Sequence, residues 1–176
     1  MSDLTPGTWT LDPAHTSVAF TVRHAGISKV RGQFTDVEGE LVVAEGGEDL
    51  AFTATLKTES ISTSNPDRDA HLKSADFFDV ENNPTITFRT TELKGDTLHG
   101  ELTINGITKP VELDFAYEGA ATDPFGVYRA GFTGETTISR KEFGLTWNAA
   151  LEAGGVLVAD SVKISIEAEF TAPTAA

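Results

Sequence analysis

The four histidines are the side chains of this sequence that could bind a polar group or transfer a proton near neutral pH. His24 ends the stretch VAFTVRH, in which Val18, Phe20 and Val22 occupy alternate positions. Because strand side chains alternate between two faces, His24 points the same way as Phe20. Its imidazole is therefore either a core-edge group that hydrogen-bonds a neighbouring strand or a polar anchor that orients a ligand in an apolar pocket.

The spacing of the chemically active groups predicts neither a metal site nor a catalytic triad. A zinc or iron site needs three convergent ligands, and His15, His24, His71 and Asp69 show no ligand spacing such as HxH or HExxH. The chain has no cysteine, and the GxSxG nucleophile motif is absent. We therefore expect no metal, no cofactor and no enzymatic activity.

Charge and hydropathy narrow the range of partners. The chain has 27 acidic and 13 basic residues, and its formal net charge of -14 repels phosphate backbones and anionic lipid headgroups at long range. The start MSDLTPGTWTLD lacks the basic and apolar regions of a secretory signal. No later segment approaches the roughly 18 apolar residues that a membrane helix needs. We therefore expect no nucleic-acid partner, no peripheral membrane anchor and a cytoplasmic location.

Period-two patterning covers most of the chain and predicts eight strands. The apolar rows lie in residues 16–24, 30–44, 50–58, 84–93, 98–104, 111–117, 127–140 and 158–171. Within 30–44 the row changes parity after Phe34, which is typical of a β-bulge. Between the fifth and sixth rows, Asn105 and Gly106 favour a tight primed hairpin turn, since both tolerate positive φ.

Residues 64–84 break the strand pattern and predict a short helix over about 66–74. Asn65 is a suitable N-cap, and Pro66 suits the first helical position. Asp67 and Asp69 would lie where the helix dipole favours negative charge. Because the 176 residues contain no linker or low-complexity segment, the sequence predicts one domain over 1–176.

The eight strands are each apolar on one face, so they must stack as two sheets or close on themselves. Closure also removes exposed edges, and we therefore predict an all-β fold, an eight-stranded antiparallel barrel with one short helix. Side chains can fill such a barrel, or it can hold one small ligand. The inward rows mix phenylalanine with glycine and alanine, which leaves either interdigitated side chains or an open slot.

Four long motifs are spread from the start of the chain to its end. They are WTLDPAHTSVAFTVRHAGISKVRGQF at 9–34, DAHLKSADFFDVENNPTITF at 69–88, GELTINGITKPVEL at 100–113, and ISRKEFGLTWN at 138–148 with VADSVKISIEAEF at 158–170. Together they resemble the YceI-like, polyisoprenoid-binding proteins. The resemblance implies a lipocalin-like barrel, a homodimer, and an apolar tunnel that holds a long lipid tail. Polyprenyl diphosphate is the ligand it implies first, with quinones and fatty-acid derivatives linked to related members.

From this resemblance we expect a non-catalytic protein that binds, sequesters or transports a long-chain isoprenoid lipid. Three alternatives stay open: a lipid-modifying enzyme with a cavity histidine as general base, a binder of a fatty-acid derivative, and a filled barrel that serves only interactions.

The expected tunnel lining is the inward apolar rows: Val18, Phe20, Val22, Phe34, Phe52, Phe88, Phe115, Phe132 and Phe170. A diphosphate needs local cations despite the acidic total. The headgroup candidates are Arg23, His24, Arg68, His71 and Arg140. His71 could instead meet Asp76, and Phe77 and Phe78 either plug the space between helix and barrel or line the tunnel.

Overall fold

The computed structural model describes residues 1–174 and consists mainly of antiparallel strands. The strands are β1 (Gly7–Leu11), β2 (Ser17–His24), β3 (Ser28–Phe34), β4 (Val37–Val43), β5 (Leu50–Lys57), β6 (Ile61–Ser62), β7 (Thr85–Lys94), β8 (Thr97–Ile104), β9 (Ile107–Thr122), β10 (Tyr128–Ser139) and β11 (Val158–Thr171). Within residues 1–174 there is one α-helix, α1 (Pro66–Lys73), and short 3₁₀ turns follow β1, β5 and β10.

Eight of these strands close into a ring. Their order is β1-β4-β5-β7-β8-β9-β10-β11, and β11 returns to β1 through the pairs Thr10–Thr171 and Leu11–Phe170. Every pairing in the ring is antiparallel. The predicted all-β, eight-stranded antiparallel barrel is therefore confirmed.

The remaining strands, β2, β3 and β6, extend the barrel wall beyond the ring. β2 pairs with β11 where β1 has ended, β3 pairs with β2, and β6 pairs with β3. The helix α1 follows β6 and contacts it, and residues 74–84 connect α1 to β7. Phe78 of this segment meets Phe34 of β3 edge to face, with ring centroids 5.7 Å apart. We call this end of the barrel, with α1 and the turns at 25–27 and 105–106, the helix end.

The opposite end is closed by aromatic side chains, and we call it the aromatic end. Phe52 lies at its centre, with ring centroids 5.7, 5.2 and 5.7 Å from those of Phe115, Phe132 and Phe170. Next to this cluster, Trp9 is fully buried and its indole Nε1 donates to the carbonyl of Thr5 at 2.9 Å. Edge-to-face rings at these separations are favourable beyond their buried area, so this end is a packed core.

Two local predictions are confirmed in detail. The side chain of Asn65 accepts a hydrogen bond from the backbone N–H of Arg68 at 3.0 Å, so it is the N-cap of α1, and Pro66 is the first helical residue. Asn105 and Gly106 have φ of 54° and 73°, which joins β8 to β9 through a tight turn.

The prediction of one bulged strand over 30–44 is wrong. The structure has two strands, β3 and β4, which are separated by Thr35 and Asp36. Phe34 and Val37 both face the core because the chain changes partners between them: β3 pairs with β2 and β6, while β4 pairs with β1 and β5. The short strands β1 and β6 are additions that the periodicity did not predict.

Candidate ligand cavity

The barrel interior contains one elongated cavity of about 250 Å³ with an apolar wall. On β11 the cavity wall extends from Val158 to Phe170. At roughly 3.3 Å per residue this stretch of strand is about 40 Å long. Because the strands of a barrel are tilted against its axis, it spans about 30 Å along that axis. The cavity is therefore long and narrow. Its volume lies just below the roughly 300 to 1,000 Å³ of common ligand pockets.

All nine residues expected to line a tunnel lie on the wall of this cavity: Val18, Phe20, Val22, Phe34, Phe52, Phe88, Phe115, Phe132 and Phe170. Their contact with a ligand stays a prediction. Other wall residues continue the same inward rows, such as Ile86, Leu102 and Ile164, and the period-two pattern could have found them. Leu145 also lies on the wall, but it follows the 3₁₀ turn after β10, where no periodicity indicates which way it points.

The small residues of the inward rows have two different roles. Gly32 and Gly100 lie beneath rings, since a Cβ on Gly32 would be 2.8 Å from Cε1 of Phe20 and a Cβ on Gly100 would press on the ring of Phe88. Ala54, Gly134 and Ala168 instead border the cavity directly. The rings of Phe20 and Phe88 thus lie flat against the wall, and the middle of the barrel stays open.

The two ends of the cavity differ in exposure. At the aromatic end the wall rings are buried, whereas at the helix end the wall includes the half-buried Val22, Leu72 and Val158. Phe77 and Phe78 also lie on the wall there, so they both cover the barrel and line the cavity. The helix end is therefore the side on which solvent approaches the cavity.

Arg140 is the one charged residue on the cavity wall within residues 1–174, and its side chain is 3% exposed. Its Nε donates to the carbonyl of Ala159 at 2.8 Å. Its Nη1 donates to the carbonyls of Leu145 and of Trp147, the latter at 2.9 Å. Its Nη2 donates to the carbonyl of Val158 at 3.2 Å. These four bonds use four of the five guanidinium N–H groups, and burial lowers the pKa of Arg140 from its usual value.

A bulge in β11 supplies two of these carbonyls. Val158 pairs with His24 and Val162 pairs with Val22, so three residues of β11 stand opposite one residue of β2. Asp160, within this bulge, accepts a hydrogen bond from the Ser139 hydroxyl at 2.6 Å, which lowers the pKa of Asp160. The bulge therefore fixes the end of β10 and brings backbone carbonyls to Arg140.

The other headgroup candidates lie off the wall. Arg68 donates from Nε and Nη2 to the hydroxyl and carbonyl of Thr63, at 2.8 and 2.9 Å, so it holds the turn before α1. Arg23 and His24 are exposed at the end of β2, and neither makes a side-chain hydrogen bond to another residue of the described chain. His24 lies opposite Val158, a wall residue.

His71 forms the only histidine–carboxylate pair at the helix end among the described residues. Its Nε2 lies 2.9 Å from Oδ2 of Asp76, and its ring stands edge-on to those of Phe77 and Trp147, at 5.1 and 4.6 Å. Phe77 lies on the cavity wall, whereas His71, Asp76 and Trp147 do not. In residues 1–174 the wall contains no histidine and no carboxylate, so this pair lies outside the cavity.

A second polar cluster lies at the aromatic end. Asp12, His15 and Glu169 bring ligand-type atoms within 4.8 Å of one another. The guanidinium of Arg129 already lies between them, with Nη1 donating to Asp12 at 2.6 Å and to Glu169 at 2.9 Å. Hydrogen bonding to Asp12 raises the pKa of His15, and hydrogen bonding to His15 lowers the pKa of Asp12. This cluster is an ion-pair network whose cation is an arginine.

The chain matches one known protein family along nearly its whole length. A family model described as the YceI-like domain matches residues 9–170. A UPF0312 protein of Staphylococcus aureus is 38% identical over 168 residues, 93% of this chain and 96% of that protein. The crystal structure of a Campylobacter jejuni YCEI protein is 30% identical, has a TM-score of 0.73, and is matched over 99% of this chain and 100% of its own.

A more distant structure has the same fold. It is a polyisoprenoid binding domain from Saccharophagus degradans, with 11% identity, a TM-score of 0.72, and coverage of 94% of this chain and 98% of its own. Among the described residues no helix is long and apolar enough to cross a membrane.

Proposed function

The chain belongs to the YceI-like family, and on that premise we propose that it binds, sequesters or transports one long-chain isoprenoid lipid without transforming it. The observation that carries the proposal is the cavity, which is long, narrow, apolar and closed at one end by packed rings. Burial of a hydrocarbon tail contributes about 25 cal/mol for each Å² removed from water. A narrow space of about 250 Å³ suits a single chain.

We propose that the tail points to the aromatic end and the headgroup lies at the helix end. The aromatic end offers no charged wall residue within 1–174, whereas Arg140 at the helix end keeps one N–H beyond the four that bind carbonyls. His24 lies beside Val158 with its ring exposed. A diphosphate, a carboxylate or a quinone oxygen could each accept hydrogen bonds from these two groups.

The Saccharophagus degradans domain binds polyisoprenoids, but at 11% identity it shares the fold alone. The proposal for this chain therefore depends on the shape and chemistry of its own cavity, and a fatty-acid derivative is its nearest competitor as ligand.

Mass spectrometry of organic extracts from the purified protein tests the proposal directly. We expect a co-purified isoprenoid lipid in the wild type and its loss in Ala168→Phe, because Ala168 borders the cavity opposite Phe132 and a second ring there would fill it. The matched control is Ala51→Phe, which adds the same ring at an exposed outward position of β5. Thermal unfolding monitored by circular dichroism checks that both variants fold.

Three results would contradict the proposal. The first is an extract without lipid, together with no binding of added polyprenyl diphosphates or quinones. The second is an extract containing only fatty-acid derivatives, which would reassign the ligand. The third is equal lipid content in the folded Ala168→Phe and Ala51→Phe variants, which would place the lipid outside the cavity.

A lipid-modifying enzyme would need a general base inside the cavity, and the histidine–carboxylate pair at the helix end lies outside it. A general base must come within hydrogen-bond reach of its substrate. His71 has Asp76 as a partner, yet both residues lie outside the cavity wall, while His24 has no carboxylate partner among residues 1–174. The cytoplasmic location and the homodimer stay predictions, which cell fractionation and sedimentation equilibrium would check.

A further inference from the structure

The β2–β3 hairpin differs in charge from the rest of the chain. Residues 13–35 contain no aspartate or glutamate, although acidic residues outnumber basic ones by 27 to 13 in the whole sequence. Arg23, Lys29 and Arg31 lie on its outer face, since Arg23 pairs with Lys29 and Thr21 with Arg31. All three are exposed, and none forms an ion pair with another residue of the described chain.

This arrangement carries an energetic penalty within the fold. Like charges directly opposite each other on two strands repel, and Arg23 stands opposite Lys29. On the neighbouring strand Lys163 pairs with Thr21, but its Nζ lies 3.7 Å from Oε1 of Glu135, so the cations of this surface without an ion-pair partner in the described chain are the three on the hairpin. A surface that gathers cations in an acidic protein is suited to an anionic partner.

The tip of the hairpin is apolar. Ile27 is 86% exposed in the turn between β2 and β3, which Ala25 and Gly26 form with φ of 51° and 72°. The backbone N–H of Ala25 donates to the carbonyl of Leu157 at 2.7 Å, so this turn touches the loop before β11, where Val156 is 51% exposed. Two exposed aliphatic side chains therefore project at the helix end, next to the basic outer face.

These features lie at the open side of the cavity. Val22 and Val158, at the base of the two exposed tips, are both wall residues. A partner that contacts Ile27, Val156 and the basic face would thus meet the cavity where solvent approaches it.

We propose that the β2–β3 hairpin docks this protein on an anionic lipid bilayer, with Ile27 in the interface and Lys29, Arg31 and Arg23 on lipid phosphates. The inference deepens the proposed function, on which it rests, because a carrier must exchange its lipid with a membrane. An acidic protein surface would use the cations but would not account for the aliphatic tips beside a lipid-sized cavity. The net charge of -14, which by itself predicts no peripheral membrane anchor, repels an anionic bilayer only weakly at physiological salt, since charges beyond about 8 Å are largely screened.

Vesicle flotation of the purified full chain tests the docking. The probes are vesicles of phosphatidylcholine alone and of phosphatidylcholine with an equal part of phosphatidylglycerol. We expect binding to the mixed vesicles, weakened about 30-fold by Lys29→Gln with Arg31→Gln, because each cation at a charged surface contributes about 1 kcal/mol. We expect Ile27→Ser to weaken it about tenfold through lost burial of the side chain.

Matched controls place the same changes elsewhere on the barrel. Arg89→Gln with Lys94→Gln removes two exposed cations from the outer face of β7, away from the helix end, where they pair with Glu101 and Glu92. Phe125→Ser removes an apolar side chain that is 91% exposed in the turn after β9. Both should bind vesicles as the wild type does. The inference would be overturned if the hairpin variants bind the mixed vesicles as tightly as the wild type does. It would also be overturned if the wild type binds vesicles with and without phosphatidylglycerol equally.

Two further measurements distinguish a membrane from a protein partner. Suppose that the protein binds polyglutamate as strongly as it binds the mixed vesicles, and that Ile27→Ser does not weaken this binding. The surface would then be assigned to an acidic protein partner, and membrane docking would be overturned. A change of oligomeric state in the Lys29→Gln, Arg31→Gln variant would instead make the hairpin an interface between copies. Lipid content by mass spectrometry should be unchanged in that variant. If the wild-type protein contains co-purified lipid but does not bind vesicles, only the docking proposal is overturned. If it binds vesicles but contains no lipid, only the proposed function is overturned.

Discussion

Gly32→Ala should block the cavity by displacing one ring. A Cβ at Gly32 would lie 2.8 and 2.9 Å from Cε1 and Cε2 of Phe20, closer than such contacts occur in proteins. The nearest obstacles are atoms of that side chain alone, so the ring can turn away, and the open space beside it is the cavity. We therefore expect a folded variant that retains less lipid than the wild type.

The size of the stability change follows from two opposing effects. Overpacking a core costs about 1 to 3 kcal/mol. Replacing glycine by alanine where the backbone allows it gains about 0.4 to 1 kcal/mol by restricting the unfolded chain, and Gly32 does not adopt positive φ. The net expectation is a loss of at most about 2.6 kcal/mol, and of about 1.3 kcal/mol at the middle of both ranges, in the free energy of unfolding.

The same substitution should change sign when the ring is absent. In a Phe20→Leu background the ring atoms that clash no longer exist, so Gly32→Ala should stabilise by about 0.5 kcal/mol. Urea denaturation of the four proteins in this double-mutant cycle measures both values. Equal effects of Gly32→Ala in the two backgrounds would refute the placement of Phe20 over Gly32.

At Gly100, unlike at Gly32, removing the neighbouring ring should not relieve the clash of an added Cβ. A Cβ there would meet the ring of Phe88 and also lie 2.7 Å from the carbonyl oxygen of Arg89, which is backbone. Shortening Phe88 to leucine would relieve only the first of these clashes. Gly100→Ala should therefore stay destabilising with Phe88→Leu, whereas Gly32→Ala should not with Phe20→Leu.

Two other predictions concern the ends of the barrel. Arg140→Met should lower the free energy of unfolding by about 3 kcal/mol in urea denaturation, because the carbonyls of Leu145, Trp147 and Ala159 lose this donor at about 1 kcal/mol each. The carbonyl of Val158 keeps the amide of Asn148 as a donor. Wild-type stability would contradict the prediction. His15 has a raised pKa when folded, so its contribution is complete below about pH 6.5 and is lost as pH rises through the folded pKa. Thermal melts should show that His15→Gln removes this part of the pH dependence, and identical profiles would contradict it.

The strand rows and the helix cap were predictable because each depends on local rules. The row Val18, Phe20, Val22 alternates without interruption, and Asn65-Pro66 is a start signal that holds in any surroundings. The break at Thr35 and Asp36 was not predictable, because a bulge and a change of partner strand give the same switch of parity. Only the pairing of β4 with β1 distinguishes them, and that contact is long-range.

In the candidate site, too, the apolar residues were predictable from the sequence and the roles of the polar residues were not. Residues of the cavity wall follow from periodicity once the barrel is predicted, and all nine expected residues lie there. The roles of the polar residues depend on neighbours that sequence does not place. Arg68 is bound to Thr63 five residues away, while Arg140 meets carbonyls of Val158 and Ala159 across the bulge of β11.

The interruptions of the strands explain why the two ends of the cavity differ. At the aromatic end the ring closes through β1 and β11, so backbone hydrogen bonds surround the rings of Phe52 and Phe170. At the helix end β6 pairs with β3 and not with β7 in the described chain, and the wall there is built from α1 and loops. Backbone carbonyls in such a wall need other donors, and the guanidinium of Arg140 supplies four bonds. A lipid that enters the cavity would therefore pass where the wall lacks strand pairing, beside the arginine that holds this part of the wall together.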